Sequence, residues 1–136
     1  MNKYIIILII LFSFSASSAH EKQTGCFSSD SKLINVKFID IYDDGAHLGY
    51  VKYKNSKEPI PLVFSDEKSE SVDEDRPIEN TTNWLEFIHG KYNGQYIVMS
   101  QGARYYQFIY KSISGRTISL NENLEAYNND RSDCIW

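Results

Sequence analysis

Residues 103–111 read Ala-Arg-Tyr-Tyr-Gln-Phe-Ile-Tyr-Lys (ARYYQFIYK), and the class of fold follows from this stretch. Bulky aromatic and β-branched side chains favour a pleated strand. At a two-residue period, Arg104, Tyr106, Phe108 and Tyr110 share one face, and Tyr105, Gln107 and Ile109 share the other. One face must belong to a core. The other is either a partly exposed aromatic patch or a second buried surface.

The same texture continues in both directions. Upstream, residues 84–89 and 95–100 read as strands around Asn93-Gly94, the strongest hairpin signal in the chain. Downstream, Ser114-Gly115 turns into a strand over residues 116–120. Nearer the N-terminus, residues 33–41 put Ile34, Val36 and Phe38 on one face, and Asp43-Asp44-Gly45 turns the chain into residues 48–54. Residues 60–64 make another strand, and Pro61 marks it as an edge or a strand start. Residues 65–81 hold almost no apolar side chains and read as a long solvated loop. Residues 121–127 (NENLEAY) suit one or two helical turns, and a polar stretch carries the chain to Cys134. The expectation is an all-β domain of about seven antiparallel strands, as a small barrel or a sandwich. No segment could serve as the crossover helix that a parallel pair needs.

Residues 1–19 read as a cleavable secretory signal. Lys3 supplies the positive n-region, residues 4–14 the apolar run, and Ser17 and Ala19 the small residues before the cut. The run is shorter than the roughly 20 residues of a membrane-spanning helix. Cys26 stands too far beyond it for a lipid-anchoring site. The product would be a periplasmic or secreted single domain over residues 20–136, with no membrane anchor. Cys26 and Cys134 are the chain's two cysteines, and in an oxidising compartment they are expected to pair. Closing a loop of about a hundred residues is worth at most roughly 4–5 kcal/mol.

Charge is unevenly placed. Between residues 66 and 79, seven acidic residues (Asp66, Glu67, Glu70, Asp73, Glu74, Asp75 and Glu79) face Lys68 and Arg76, a net −5. The rest of the mature chain is near neutral, and without a basic stripe nucleic-acid binding is not expected.

Catalytic and metal motifs are absent from the sequence. There is no GxSxG, HExxH or CxxC, and the paired cysteines leave no thiol for nucleophilic work. The histidines are His20, His47 and His89. His47 beside Asp43 and Asp44 is accounted for by turn chemistry. Glu86 alternates with Trp84 and Ile88 and is expected to point to solvent. No cofactor and no enzymatic activity are expected.

Ser100-Gln101-Gly102-Ala103-Arg104-Tyr105, with a cysteine near the C-terminus, resembles the SGxxY segment of the periplasmic lysozyme inhibitors, with Gln101 inserted. That family consists of small disulfide-bonded β-barrels that insert a loop into the lysozyme cleft. The resemblance implies an inhibitory role for Ser100 and Tyr105. The family's N-terminal Tyr-x-Cys pattern is missing.

Together these observations favour a binding protein, an inhibitor or immunity-type factor whose partner is another protein with a basic surface. The expected contact residues are Asp66, Glu67, Glu70, Asp73, Glu74 and Asp75 with Ser100, Arg104, Tyr105 and Tyr106. The alternatives are a small-ligand carrier with an apolar cavity lined by Trp84, Tyr106 and Phe108, or a structural component of the envelope.

Overall fold

The computed structural model describes residues 20–136; the expected signal segment lies outside the described residues. Eight antiparallel strands form a closed barrel in chain order: β1 His20–Ser28, β2 Asn35–Asp43, β3 Ala46–Tyr53, β4 Ile60–Glu70, β5 Glu79–Ile88, β6 Lys91–Gln101, β7 Arg104–Ser112 and β8 Thr117–Glu122. The barrel closes where Phe27 and Ser28 of β1 pair with Glu122 and Asn121 of β8. A single 3-10 turn, Leu124–Ala126, is the expected helical element. No helix among the described residues is long and apolar enough to cross a membrane.

The strand beyond the expected seven is β1. Its first four residues, His-Glu-Lys-Gln, carry no apolar period, yet it pairs along its whole length with β2. Only Thr24 to Ser28 are buried.

An eight-stranded barrel has an interior just wide enough for side chains to fill. Here Phe27, Val36, Phe38, Val51, Leu62, Trp84, Tyr96, Val98, Phe108 and Leu120 fill it. Phe27 stacks on Phe108 at 4.7 Å, and Phe38 meets Trp84 edge-on at 5.5 Å. Trp84 lies over Gly49, where a Cβ would come within 2.6 Å of the indole ring. The largest interior side chain therefore requires the smallest residue on the facing strand.

One turn lies where the sequence signal puts it and the other does not. Asp44 and Gly45 take φ of 45° and 84° between the paired Asp43 and Ala46, as the Asp-Asp-Gly signal suggests. Asn93-Gly94, however, is not a turn. The two-residue loop is His89-Gly90, with φ of 50° and 74°, between the paired Ile88 and Lys91. Asn93 is instead the extra residue of a bulge, because Glu86 pairs with Gly94 and Phe87 with Tyr92. Gly94 serves close approach: a Cβ there would lie 2.6 Å from the Lys111 carbonyl oxygen and 2.8 Å from the Tyr110 hydroxyl.

A second bulge rearranges the aromatic strand. Met99 pairs with Gln107 but Ser100 with Tyr105, which leaves Tyr106 as the extra residue on β7. Tyr105 and Phe108 consequently both face inward, against the strict alternation, and Tyr106 is pushed out.

Residues 65–81 are not one long loop. β4 continues to Glu70 and β5 begins at Glu79, so only residues 71–78 connect them. The pairing runs from Asp66↔Asn83 to Glu70↔Glu79. Hydrogen bonds from Asn83 Nδ2 to Asp66 Oδ1 (2.7 Å) and from Ser69 Oγ to Asn80 Oδ1 (2.6 Å) reinforce it. Backbone pairing holds this segment extended without any apolar contribution, which composition does not reveal. Pro61 is the second residue of β4, opposite Tyr50.

Cys26 and Cys134 are bonded, with Cα atoms 5.9 Å apart and 108 residues between them in sequence. Around the bond, Ala126, Tyr127 and Trp136 form a small cluster separate from the barrel core. The Cys26 N–H donates to the Tyr127 hydroxyl (3.1 Å), which donates to Glu122 Oε1 (2.8 Å). Cys26 sits in a strand paired along its whole length with β2, so the bond anchors the C-terminal tail to the barrel.

Replacing both cysteines by serine is expected to lower stability by at most roughly 4–5 kcal/mol. Circular dichroism should still show the β-sheet signal at low temperature, because the strand pairs close the barrel independently. Chemical denaturation of the double variant measures both. Gly94→Ala should cost about 1–3 kcal/mol, since the facing atom is a backbone carbonyl that cannot rotate away.

Candidate functional site

One end of the barrel gathers the start of β1, the β2–β3 turn, the β4–β5 connection and the β6–β7 turn. β4 pairs with β3 only over Ile60 to Val63, so beyond that point its outer edge is free. Asp66, Glu67 and Glu70 lie on this edge and are exposed, and Asp73, Glu74 and Asp75 sit in the connection that follows. The β4–β5 arm is thus an extended acidic projection. Charge on an open edge also opposes pairing with another chain.

The arm is tied to the β6–β7 turn. Gln101 Nε2 donates to the Pro77 carbonyl at 3.1 Å, and Gly102 packs near the Pro77 ring. Ser100, Arg104 and Tyr106 therefore belong to the same end as the acidic residues, although they lie far apart in sequence. Arg104 is exposed, with Glu122 3.5 Å away. Tyr106 is 39% exposed. Partial burial, with the Glu79 carboxylate beside it, pushes its phenol up to about 12.

Tyr105 is different. It is 4% exposed, packed edge-on against Phe27 and Phe38. It cannot enter a partner's cleft, as the resemblance to the lysozyme inhibitors implies for it. Its buried hydroxyl has no hydrogen-bond partner among the described residues. It lines a cavity of about 650 Å³ at this end of the barrel, together with Asp40, His47, Glu67, Thr82 and Ser100.

Sequence reasoning missed the chemistry of this mouth. His47 does not bond the turn aspartates; its Nε2 lies 2.7 Å from Asp40 Oδ1. The two side chains are 14% and 20% exposed. Burial raises the Asp40 carboxyl above its ordinary range, an effect that His47 partly offsets. The imidazole is held by rings: Phe64 at 4.1 Å, Trp84 at 4.9 Å and Tyr42 at 5.7 Å between centroids. Thr82 Oγ1 accepts from Trp84 Nε1 at 3.0 Å, so its own hydrogen is free to donate. Asp40 pairs with Gly49 and His47 with Tyr42, which makes Asp40 and His47 diagonal neighbours across β2 and β3. Only a correct strand register could have joined them.

Nearer the opposite end, Glu86 faces inward rather than to solvent, at 3% exposure. Its position on β5 alternates with Trp84 and Thr82, both interior. Oε2 accepts from the Tyr96 hydroxyl (2.6 Å), and Oε1 accepts from Asn93 Nδ2 (2.5 Å) and the Tyr110 hydroxyl (3.0 Å). The Tyr53 and Tyr96 hydroxyls are 2.9 Å apart. Burial raises the phenols of Tyr53 and Tyr96, and raises Tyr110 to about 12. This network satisfies the carboxylate and plugs the barrel.

Trp84 and Phe108 are core residues and Tyr106 is outside, so the three do not line a shared apolar cavity. No cluster of three or more metal-ligating side chains occurs among the described residues. No protein-family model matches the chain, and neither a curated protein nor a solved structure does.

Glu86→Ala should cost about 3 kcal/mol or more in a denaturant titration, because the buried Tyr96 hydroxyl and the half-buried Asn93 and Tyr110 donors lose their acceptor. Glu86→Gln should cost less, since it preserves the shape. Stability should also fall in alkali. The tyrosine pKa values are higher in the folded state than the unfolded value near 10. Their contribution is therefore complete below about pH 10 and is lost as pH rises through about 12, where Tyr110 and Tyr127 ionise. Melting temperatures across pH 7 to about 12 check the sign.

Proposed function

We propose that the protein acts by binding another protein through the acidic end of its barrel, as an inhibitor or immunity-type factor directed against a cationic enzyme or toxin outside the cytoplasm. The observation that supports this reading most is the β4–β5 arm, which carries a net −5 over residues 66–79 on a chain otherwise near neutral. An acidic projection on a rigid barrel steers a basic partner and holds it in register. Arg104 and Tyr106 stand beside the arm and supply residue types enriched where binding energy concentrates. The disulfide suits an oxidising compartment, and a periplasmic or secreted location accords with the reading. In this proposal the protein performs no catalysis.

The test uses the oxidised mature protein immobilised against envelope extract, with the Asp73→Asn, Glu74→Gln, Asp75→Asn triple variant beside it. The expected outcome is a basic protein retained by the native chain. The triple variant should bind it about tenfold more weakly, with a shallower loss of affinity as salt rises. A partner whose affinity and salt dependence are unchanged by the triple variant would overturn the role of the arm. Failure to retain any protein would count against the reading as a whole.

A further inference from the structure

The mouth cavity has a chemistry of its own. A half-buried carboxylate is costly unless its charge is compensated. Asp40 accepts one hydrogen bond, from His47, and lies close enough to Glu67 for the two charges to repel. Tyr105 lines the same cavity, its side chain more than nine-tenths buried and its hydroxyl without a partner among the described residues. A buried polar atom without a partner is costly, so a ligand that satisfies it recovers that cost.

Three carboxylates line the cavity: Glu21, Asp40 and Glu67. The cations that line it are Lys22 and, when protonated, His20 and His47; His20 faces Asp43 at 3.7 Å and His47 faces Asp40 at 2.7 Å. An anion would enter against this field. A neutral polyol would bring no charge to answer the three carboxylates. A guanidinium brings five N–H donors and a flat face, which matches carboxylates, a hydroxyl acceptor and the rings of Tyr42 and His47. A primary ammonium supplies three donors and the same charge.

We propose that this cavity is a receptor site for one guanidinium or primary ammonium group, held between Asp40 and Glu67 with the Tyr105 hydroxyl accepting one of its N–H groups. The inference deepens the reading above, in which the group is the side chain of an arginine or lysine presented by the basic partner, and rests on that reading for the source of the group alone. The acidic arm would then steer the partner and the cavity would hold one of its side chains.

Nα-acetyl-arginine amide and agmatine are the probes, with Nα-acetyl-citrulline amide as the uncharged isostere. The readout is the amide resonances of Ser100 and Gly102 in the oxidised protein. Both cationic probes should give saturable shifts, with citrulline amide at least about tenfold weaker. Asp40→Asn should weaken the arginine probe about tenfold. Tyr105→Phe, which removes only the unpartnered hydroxyl, should weaken it about threefold or more while leaving the melting temperature equal or higher. Equal binding of citrulline amide, no saturable shift, or an unaffected Tyr105→Phe would each overturn the proposal.

The source of the group is read by competition. Displacement of the captured partner by arginine amide assigns the group to the partner. Probe binding that no partner competes with supports the cavity and a free amine ligand, and counts against the protein-partner reading. The arm triple variant should lose partner affinity but keep its affinity for arginine amide.

Discussion

Closure of the sheet is the constraint on which everything else in this molecule depends. The seam between β1 and β8 is short, with Phe27 opposite Glu122 and Ser28 opposite Asn121. It is extended by the Asn123 N–H donating to the Cys26 carbonyl at 2.8 Å. The tail that follows β8 then reinforces the seam from outside through Tyr127 and the disulfide. A seam of so few pairs would be a weak point in an open sheet. Here it removes both sheet edges over the barrel body, and with them the unpaired backbone groups that would invite association. Free edges remain at the start of β1, which pairs with β8 only at Phe27 and Ser28, and on β4 beyond Val63, where the edge carries aspartate and glutamate.

Closure sets the interior volume, and the interior volume sets where polar groups can go. The middle of the barrel is filled by aromatic rings, with Trp84 fitted over Gly49. Polar side chains that face inward are therefore displaced toward the two ends. Two carboxylates meet this situation differently. Glu86 receives three donors and closes its end. Asp40 receives one donor from His47 and opens onto a cavity that Glu67, Thr82 and Tyr105 also line. The same architecture thus produces one sealed end and one chemically incomplete end, and the difference lies in how many hydroxyl and amide donors the local strands supply.

Bulges do the positioning. Three register shifts, at Ser65, Asn93 and Tyr106, each insert one unpaired residue. The one at Asn93 brings an amide to Glu86. The one at Tyr106 turns Tyr105 inward and Tyr106 outward, so neighbours in sequence serve the cavity and the surface respectively. A bulge changes the face of every residue beyond it. That is why a simple two-residue alternation assigns the faces of residues 103–111 incorrectly at Tyr105.

Much of the fold was legible in the chain alone, because it depends on local and compositional signals. Alternating aromatic and β-branched residues, short turns and the absence of crossover helices lead to an antiparallel β domain. Two distant cysteines lead to its disulfide, and the clustering of carboxylates is visible by inspection. Tertiary structure decided what depends on pairing across strands: that β1 exists, that the acidic segment is a hairpin arm beside Ser100 and Arg104, that Glu86 is interior, and that Asp40, His47 and Tyr105 meet at one mouth. The physical reason is that composition determines which residues gain by burial or exposure, whereas register determines which side chains share a face. In a closed barrel register is a property of all eight strands together, and a single inserted residue is enough to redirect it.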